Sequence, residues 1–432
     1  MSRRPLRVLT LLAAACLTLA ACGGGGDGGG SAEEANTKRG PITIWYSNNE
    51  AELEWGKAMV AAWNAANPDQ QVDGQEIPAG RSSEEVIGAA ITAGTAPCLV
   101  FNTAPSAVGQ FQRQGGLVNL AEFEGGQAYI EERSGATAQQ YKSADGGYYQ
   151  LPWKSNPVMI FYNKEAFKKA GLDPDSPKLS TYAEFLAAAQ TIKDKKAADY
   201  AIWPAPTSEF YQTQFDFLPL YAAQSGGKGL VENNQATFGD QNGVDVFTFW
   251  RSLYDAGLAG KETYQGDAFA DGKAAMSIVG PWAIAVYQDK VDWGSVPVPT
   301  KAGTPADATY TFSDAKNIGL FTACQNRATA FDLLKFATSV EQDGQLLEIT
   351  GQMPLRQDLQ GAYADYFEAN PAYQQFGSQA ARTVEVPGGP NTVEMLQTIR
   401  DAYTRSVISG QGDVATAVQE AAAKVTELAG QQ

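Results

Sequence analysis

The chain has 432 residues, with 48 Asp and Glu against 32 Lys and Arg, and its 44% hydrophobic and 19% charged content is that of a folded protein. It contains no histidine, which excludes serine–histidine hydrolases, histidine-ligated zinc or iron, and imidazole acid–base chemistry. An acidic surface repels nucleic acid and anionic lipid and serves solubility.

Arg3, Arg4 and Arg7 precede an apolar run over residues 8–19, which closes on Leu19-Ala20-Ala21-Cys22. The positive residues keep the amino end in the cytoplasm, the run is too short for a stable span, and the small residues open the bond before Cys22 to a peptidase. This form resembles the lipobox of bacterial lipoproteins. The resemblance implies removal of residues 1–21, acylation of Cys22 and an anchor on the outer face of the bacterial cell membrane. An ordinary secretory signal is the plainer alternative, and Ser2-Arg3-Arg4 leaves Sec and twin-arginine export both open. Without residues 1–21 the chain carries 29 basic and 48 acidic side chains, a formal charge of −19. Residues 22–40 are glycine-rich, bury nothing, and read as a flexible tether with a reach of roughly 20–25 Å.

The remaining part, about 390 residues, exceeds what one core usually holds, so two lobes are expected. Pro41-Ile42-Thr43-Ile44-Trp45-Tyr46 reads as a first strand, followed by polar residues and a helix with Leu53, Val60 and Trp63 on one side. Cys98-Leu99-Val100-Phe101 is a second short strand that also runs into a polar loop. Strand, polar loop and helix is the unit of an open α/β sheet, whose ligands sit at the carboxyl ends of strands. Thr181-Tyr182-Ala183-Glu184 has the form of a capping box, ahead of a stripe of Tyr182, Phe185, Leu186, Ala189 and Ile192. Asp413 is placed to cap a last helix that turns Val414, Ala417, Val418, Ala421, Val425 and Leu428 to one face. Outside the signal, Cys98 and Cys324 are either one disulfide or two buried thiols, and two cysteines without histidine make a poor metal site.

Four segments in order resemble the extracellular solute-binding proteins of ABC sugar importers, in the maltose- and oligosaccharide-binding branch. They are Gly115-Gly116-Leu117-Val118-Asn119-Leu120; Tyr148-Tyr149-Gln150-Leu151-Pro152-Trp153 running on to Tyr162-Asn163-Lys164; Phe269-Ala270-Asp271-Gly272-Lys273-Ala274-Ala275-Met276 with Gly280-Pro281-Trp282; and Gly351-Gln352-Met353-Pro354-Leu355-Arg356. The resemblance implies a two-lobed α/β fold of the type II periplasmic-binding-protein kind with the ligand cleft between lobes. Lobe 1 would hold residues 41–151 and 306–345, lobe 2 residues 152–305 and 346–432, with crossings near 149–154, 305–314 and 338–352. The implied role is a monomeric carrier, not an enzyme, without cofactor. It captures a di- or oligosaccharide and docks on permease subunits served by a cytoplasmic ATPase.

A sugar ring needs a flat aromatic partner for its C–H face and planar donors and acceptors for its hydroxyl rim. Trp282 follows a Gly-Pro turn, and Trp153, Trp203, Phe210 and Tyr211 lie in segments rich in Gly, Pro or polar residues, so these are the aromatic candidates. The resemblance adds Asn48, Asn49 and Glu50 after the first strand, Asn102 after the third, and Asn156 on the crossing strand. Asn102 departs from the aromatic and acidic residues common in maltodextrin binders there. Arg81 and Arg356 offer planar forks to hydroxyls or an anion, or are ion-paired, and Asp314 is placed to reach the cleft from a late crossing. Two rivals stay open: the same fold binding a polyamine, glycerol phosphate or peptide, and a tethered carbohydrate hydrolase using paired carboxylates. The acids Glu50, Glu52 and Glu54 span one helical turn, as a solvated face would.

Overall fold

The computed structural model describes residues 32–47, 50–79, 82–204, 213–287 and 289–431. The signal, Cys22 and the glycine tether lie outside the described residues. Two sheets organise the chain into two lobes. Their strands are β1 (Ile42–Tyr46), β2 (Val72–Glu76), β3 (Leu99–Thr103), β4 (Leu151–Ser155), β5 (Met159–Asn163), β6 (Tyr200–Ile202), β7 (Ala274–Val279), β8 (Trp293–Val296), β9 (Lys316–Leu320) and β10 (Met353–Pro354). The larger sheet runs β10-β4-β9-β3-β1-β2 and the smaller β8-β5-β7-β6. β1 is parallel to both β2 and β3, and β9 is antiparallel to β3 and β4. Because β1 feeds outward to β2 while β3 lies on its other side, the order reverses between β1 and β3. That reversal opens a crevice at their carboxyl ends.

The larger sheet is held by an aromatic knot. Trp55 of helix Glu50–Ala66 meets Phe101 at 5.7 Å and Trp153 at 5.2 Å between ring centroids, and all three are buried. The buried face of this helix is therefore Glu52, Trp55, Gly56, Met59 and Trp63, whereas Leu53 and Val60 sit at its margin. Cys98, just ahead of β3, is bonded to Cys324, beyond β9, closing a loop that contains most of the smaller-sheet lobe. In that lobe the expected capping box forms: Thr181 Oγ1 accepts from Glu184 N at 3.0 Å and Glu184 returns to Thr181 N at 3.0 Å. The helix it starts, Tyr182–Asp194, buries Tyr182, Phe185, Ala189 and Ile192. Asp413 caps helix Val414–Ala429 through Thr416 N at 2.8 Å.

Strand pairing differs from the expected boundaries at three places. All of β4 through Ser155 is hydrogen-bonded in the larger sheet, so the chain changes sheet within residues 156–158 rather than at 152. Thr311–Phe312 pairs with Thr383–Val384, and entry to β9 follows only after Asp314, not at 306. Helix Val340–Thr350 and β10 both stay with the larger sheet, so the third departure comes after Pro354 rather than at 346. The cause is common to all three: backbone groups at a crossing keep their ladder partners until the last residue that can reach them.

Candidate ligand-binding site

Two dissimilar surfaces meet at the crossings. On the smaller-sheet side lies a cavity of about 400 Å³ lined by Trp203, Phe215, Trp282, Asp216 and Asp267 among others. The three aromatic rings are half-buried in its wall. Each indole lies against a glycine: a Cβ on Gly280 would run into the Trp282 ring, and one on Gly260 into that of Trp203. Trp203 is further pinned by its Nε1, which donates to Glu262 O at 2.7 Å, and by Tyr200 and Tyr264 at centroid distances of 4.7 and 5.0 Å. Phe215 stands edge-on to Trp282 at 6.3 Å and to Phe312 at 5.9 Å. Asp267 spends its oxygens on Phe269 N, Ala270 N and the Tyr287 hydroxyl, which closes the back of the cavity.

Phe312 connects this cavity to a polar base. Its carbonyl accepts from Val158 N at 3.1 Å, and the next carbonyl, Ser313 O, accepts from Asn156 N at 2.6 Å. Asn156 Nδ2 in turn reaches Gln352 Oε1 at 3.3 Å. Gln352 Nε2 donates to Glu52 Oε1 at 2.7 Å, Lys154 Nζ to the same oxygen at 2.6 Å, and Asn102 Nδ2 to Glu52 Oε2. Burial alone would push the Glu52 carboxyl up, but the Lys154 ammonium and the amide donors outweigh it and hold it below its ordinary value. Asn102 occupies the left-handed region with φ 65° at the carboxyl end of β3, a conformation asparagine tolerates. Its Oδ1 and that of Asn156 are buried and accept nothing among the described residues.

Beside this base, Asp314 (φ 39°) pairs with Lys316 at 3.0 Å. Glu385 is wholly buried next to both, accepting from Ala315 N at 3.2 Å and Val386 N at 2.8 Å, and burial pushes its carboxyl up to about 8. The Gln140 amide, from the larger-sheet side, clasps the same segment through Thr383 O and Glu385 N.

The structure thus brings Asn102, Asn156 and Asp314 together at the base, and Trp203 and Trp282 at the cavity. Asn48, Asn49, Arg81, Phe210 and Tyr211 lie outside the described residues. Glu50 is exposed at the first turn of its helix, where its charge suits the helix dipole. Two candidates have other duties. Trp153 is buried in the aromatic knot with the Lys154 ammonium 4.4 Å from its ring, so its indole offers no free face to a ligand. Arg356 Nη1 pairs with Asp343 at 2.9 Å, the carboxylate that also binds Arg133 at 2.8 Å, and Arg133 ties the carbonyls of Pro152 and Leu355. That ion cluster fastens the first crossing to the third.

Glu52, Lys154, Gln352, Phe215 and Glu385 were not among the sequence candidates. Glu52 differs from the solvated face expected of its acidic cluster, being only 6% exposed. A usable signal existed for the pair: Lys154 stands inside the apolar run that becomes a wholly buried strand, and such a charge needs a buried partner.

Comparison with known proteins places this geometry. Residues 47–344 match the model of the family described as bacterial extracellular solute-binding protein. The chain is 25% identical over 273 residues to a maltotriose-binding protein of Pyrococcus abyssi, covering 62% of this chain and 55% of that one. It is 26% identical over 219 residues to a maltodextrin-binding protein of Bacillus subtilis, covering 48% and 49%. The match thus spans about half the length of these curated relatives. Among solved structures, the cyclic α-maltosyl-1,6-maltose binding protein of Arthrobacter globiformis superposes with a TM-score of 0.76 at 20% identity, over 91% of this chain and 100% of that one. The GacH receptor of Streptomyces glaucescens does so with a TM-score of 0.71 at 24% identity, over 90% and 99%. These likenesses establish the two-lobed fold. The chain belongs to the bacterial extracellular solute-binding protein family.

Proposed function

We propose that this protein is the capture component of an ABC sugar importer, holding a neutral di- or oligosaccharide between its lobes. The observation that carries the reading is a half-exposed aromatic cavity, Trp203, Phe215 and Trp282, linked through Phe312 to an amide-rich base, Asn102 and Asn156. Aromatic faces suit sugar C–H surfaces, and amides suit hydroxyls. The names of the Pyrococcus and Bacillus relatives point the same way. The lobes in this reading are the larger-sheet unit, with residues 41–155, 315–354 and the intervening helices, and the smaller-sheet unit that takes the rest. Contacts from a ligand to both lobes favour the closed form by their differential affinity, and that form delivers the sugar to a permease. Acylated Cys22 and the glycine tether would hold a monomer at the outer membrane face, close to such a partner.

The test is a thermal-shift panel of mono-, di- and oligosaccharides beside polyamines, glycerol phosphate and small peptides. A ligand that binds only the folded state raises the melting temperature. A shift from one sugar class is expected. A shift only from a charged ligand or peptide would overturn the sugar assignment, and release of reducing sugar would overturn the non-enzymatic one.

A further inference from the structure

Glu52 is a carboxylate, which accepts hydrogen bonds and cannot donate. Facing it, Gln352 and Asn102 must each turn the NH2 end of the amide toward it, and the oxygen end away. Gln352 Oε1, so directed, receives Asn156 Nδ2, which turns the Asn156 oxygen outward in its own right. One charge therefore sets the sense of three amides, and the Lys154 ammonium at 2.6 Å keeps that charge in place. The result is two carbonyl oxygens, Asn102 Oδ1 and Asn156 Oδ1, at the two ends of the chain of bonds, each without a donor among the described residues and shut from solvent in this conformation. A buried acceptor left unmade is unfavourable, and such groups in native proteins call for an explanation.

We propose that Glu52 is a positioning residue for ligand capture: it presents Asn102 and Asn156 as acceptors, so that a bound sugar must bring a donating hydroxyl to each when the lobes admit it. This rests on the sugar reading above and deepens it, since it assigns the site a preference for donors. Acceptor-only groups, such as a fluorine or a methyl ether in place of a hydroxyl, are rejected at those two points. Glutamine at position 52 could present either end of its amide, and the imposed sense would be lost.

The experiment compares the sugar that gives the largest thermal shift, maltotriose being the first probe, with its monodeoxyfluoro analogues by calorimetry, in the wild type and in Glu52→Gln/Lys154→Met, which removes both buried charges together. Glu52→Gln alone is the second variant, and a thermal melt establishes that each is folded. In the wild type, about tenfold weaker binding is expected for fluorine at two hydroxyl positions, the worth of one hydrogen bond each. In the variants those two penalties shrink below about threefold while penalties at other hydroxyls stay, a pattern that general loosening of the fold would not give. A ligand-free readout accompanies it: the side-chain amide protons of Asn102 and Gln352 are expected to exchange slowly with solvent in the wild type and faster in the double variant. Unchanged discrimination in folded variants, or a wild type indifferent to fluorine everywhere, overturns the proposal and leaves the sugar reading standing. Absence of binding by every sugar in the thermal-shift panel overturns that reading, and this proposal with it.

Discussion

The base on the larger-sheet side and the cavity on the smaller-sheet side, which the proposed function joins in one cleft, are built of opposite materials. The base is charged, amide-rich and buried: Lys154 is 0% and Glu52 6% exposed. The cavity is aromatic, and both of its indoles pack closely against glycines, Gly260 and Gly280, while they remain half-exposed at the cavity wall. A buried ion pair contributes little net stability when intact, yet leaves a large deficit when one partner is removed. A half-exposed indole does the reverse, adding less to the fold than to a bound sugar ring. Breaking the ion pair at the base should therefore register chiefly as stability, with affinity altered only at the hydroxyls its amides receive, and changes at the cavity chiefly as affinity.

The strongest way to break this contrast is Lys154→Met, which strands the Glu52 carboxylate. Urea unfolding should show a loss of about 3–5 kcal/mol, largely restored in Glu52→Gln/Lys154→Met. An equal loss in both variants would mean that the packing of the lysine stem, not its charge, matters. Next is the Cys98–Cys324 bond, which closes a sequence separation of 226 residues. Replacing both cysteines by serine is expected to lower unfolding free energy by about 2–5 kcal/mol while leaving sugar affinity near wild type, because the bond lies at the far end of the β3 and β9 strands from Asn102.

Trp282→Ala sharpens the other side of the comparison. Sugar affinity should fall by about 30-fold, roughly 2 kcal/mol, as measured by calorimetry, with a lowered urea midpoint as well, because Trp282 also packs against two hydrophobic clusters. Glu385 supplies a pH-dependent counterpart. Its ordinary value near 4.5 is raised to about 8 in the folded protein, so the native state holds a proton that the unfolded chain releases between those limits. The unfolded state binds fewer protons there, and stability contributed by this group declines as pH rises from about 4.5 to about 8. Glu385→Gln removes that slope, so the melting temperature of the variant relative to wild type should climb steadily across this window.

Much of the architecture was legible from local signals. The capping box at Thr181 and the Asp413 cap appear where residue order alone puts them, since their partners lie within four residues, and the first strand appears there through its apolar run, although its ladder partners are in β2 and β3. Crossings were legible only to within a few residues: whether Ser155 or Met353 stays in a ladder depends on a strand far away in sequence. The site divides in the same way. Trp282 was marked by its Gly-Pro turn and Asn102 and Asn156 by a family pattern, but nothing local distinguishes Trp153, which packs inward, from Trp203, which lines the cavity. Glu52 shared its helical turn with two solvated glutamates, and Arg356 shared its chemistry with a ligand fork. Both were assigned by partners more than ten residues away, which a single sequence does not display.

The most direct test of the account is small-angle scattering of the protein with and without a saturating concentration of the sugar that gives the largest thermal shift, with occupancy verified by calorimetry on the same samples. Capture between closing lobes predicts a smaller radius of gyration in the bound protein, and no change for Trp282→Ala at a concentration that saturates only the wild type. Full occupancy with an unchanged radius would contradict it, leaving a sugar bound to one lobe alone.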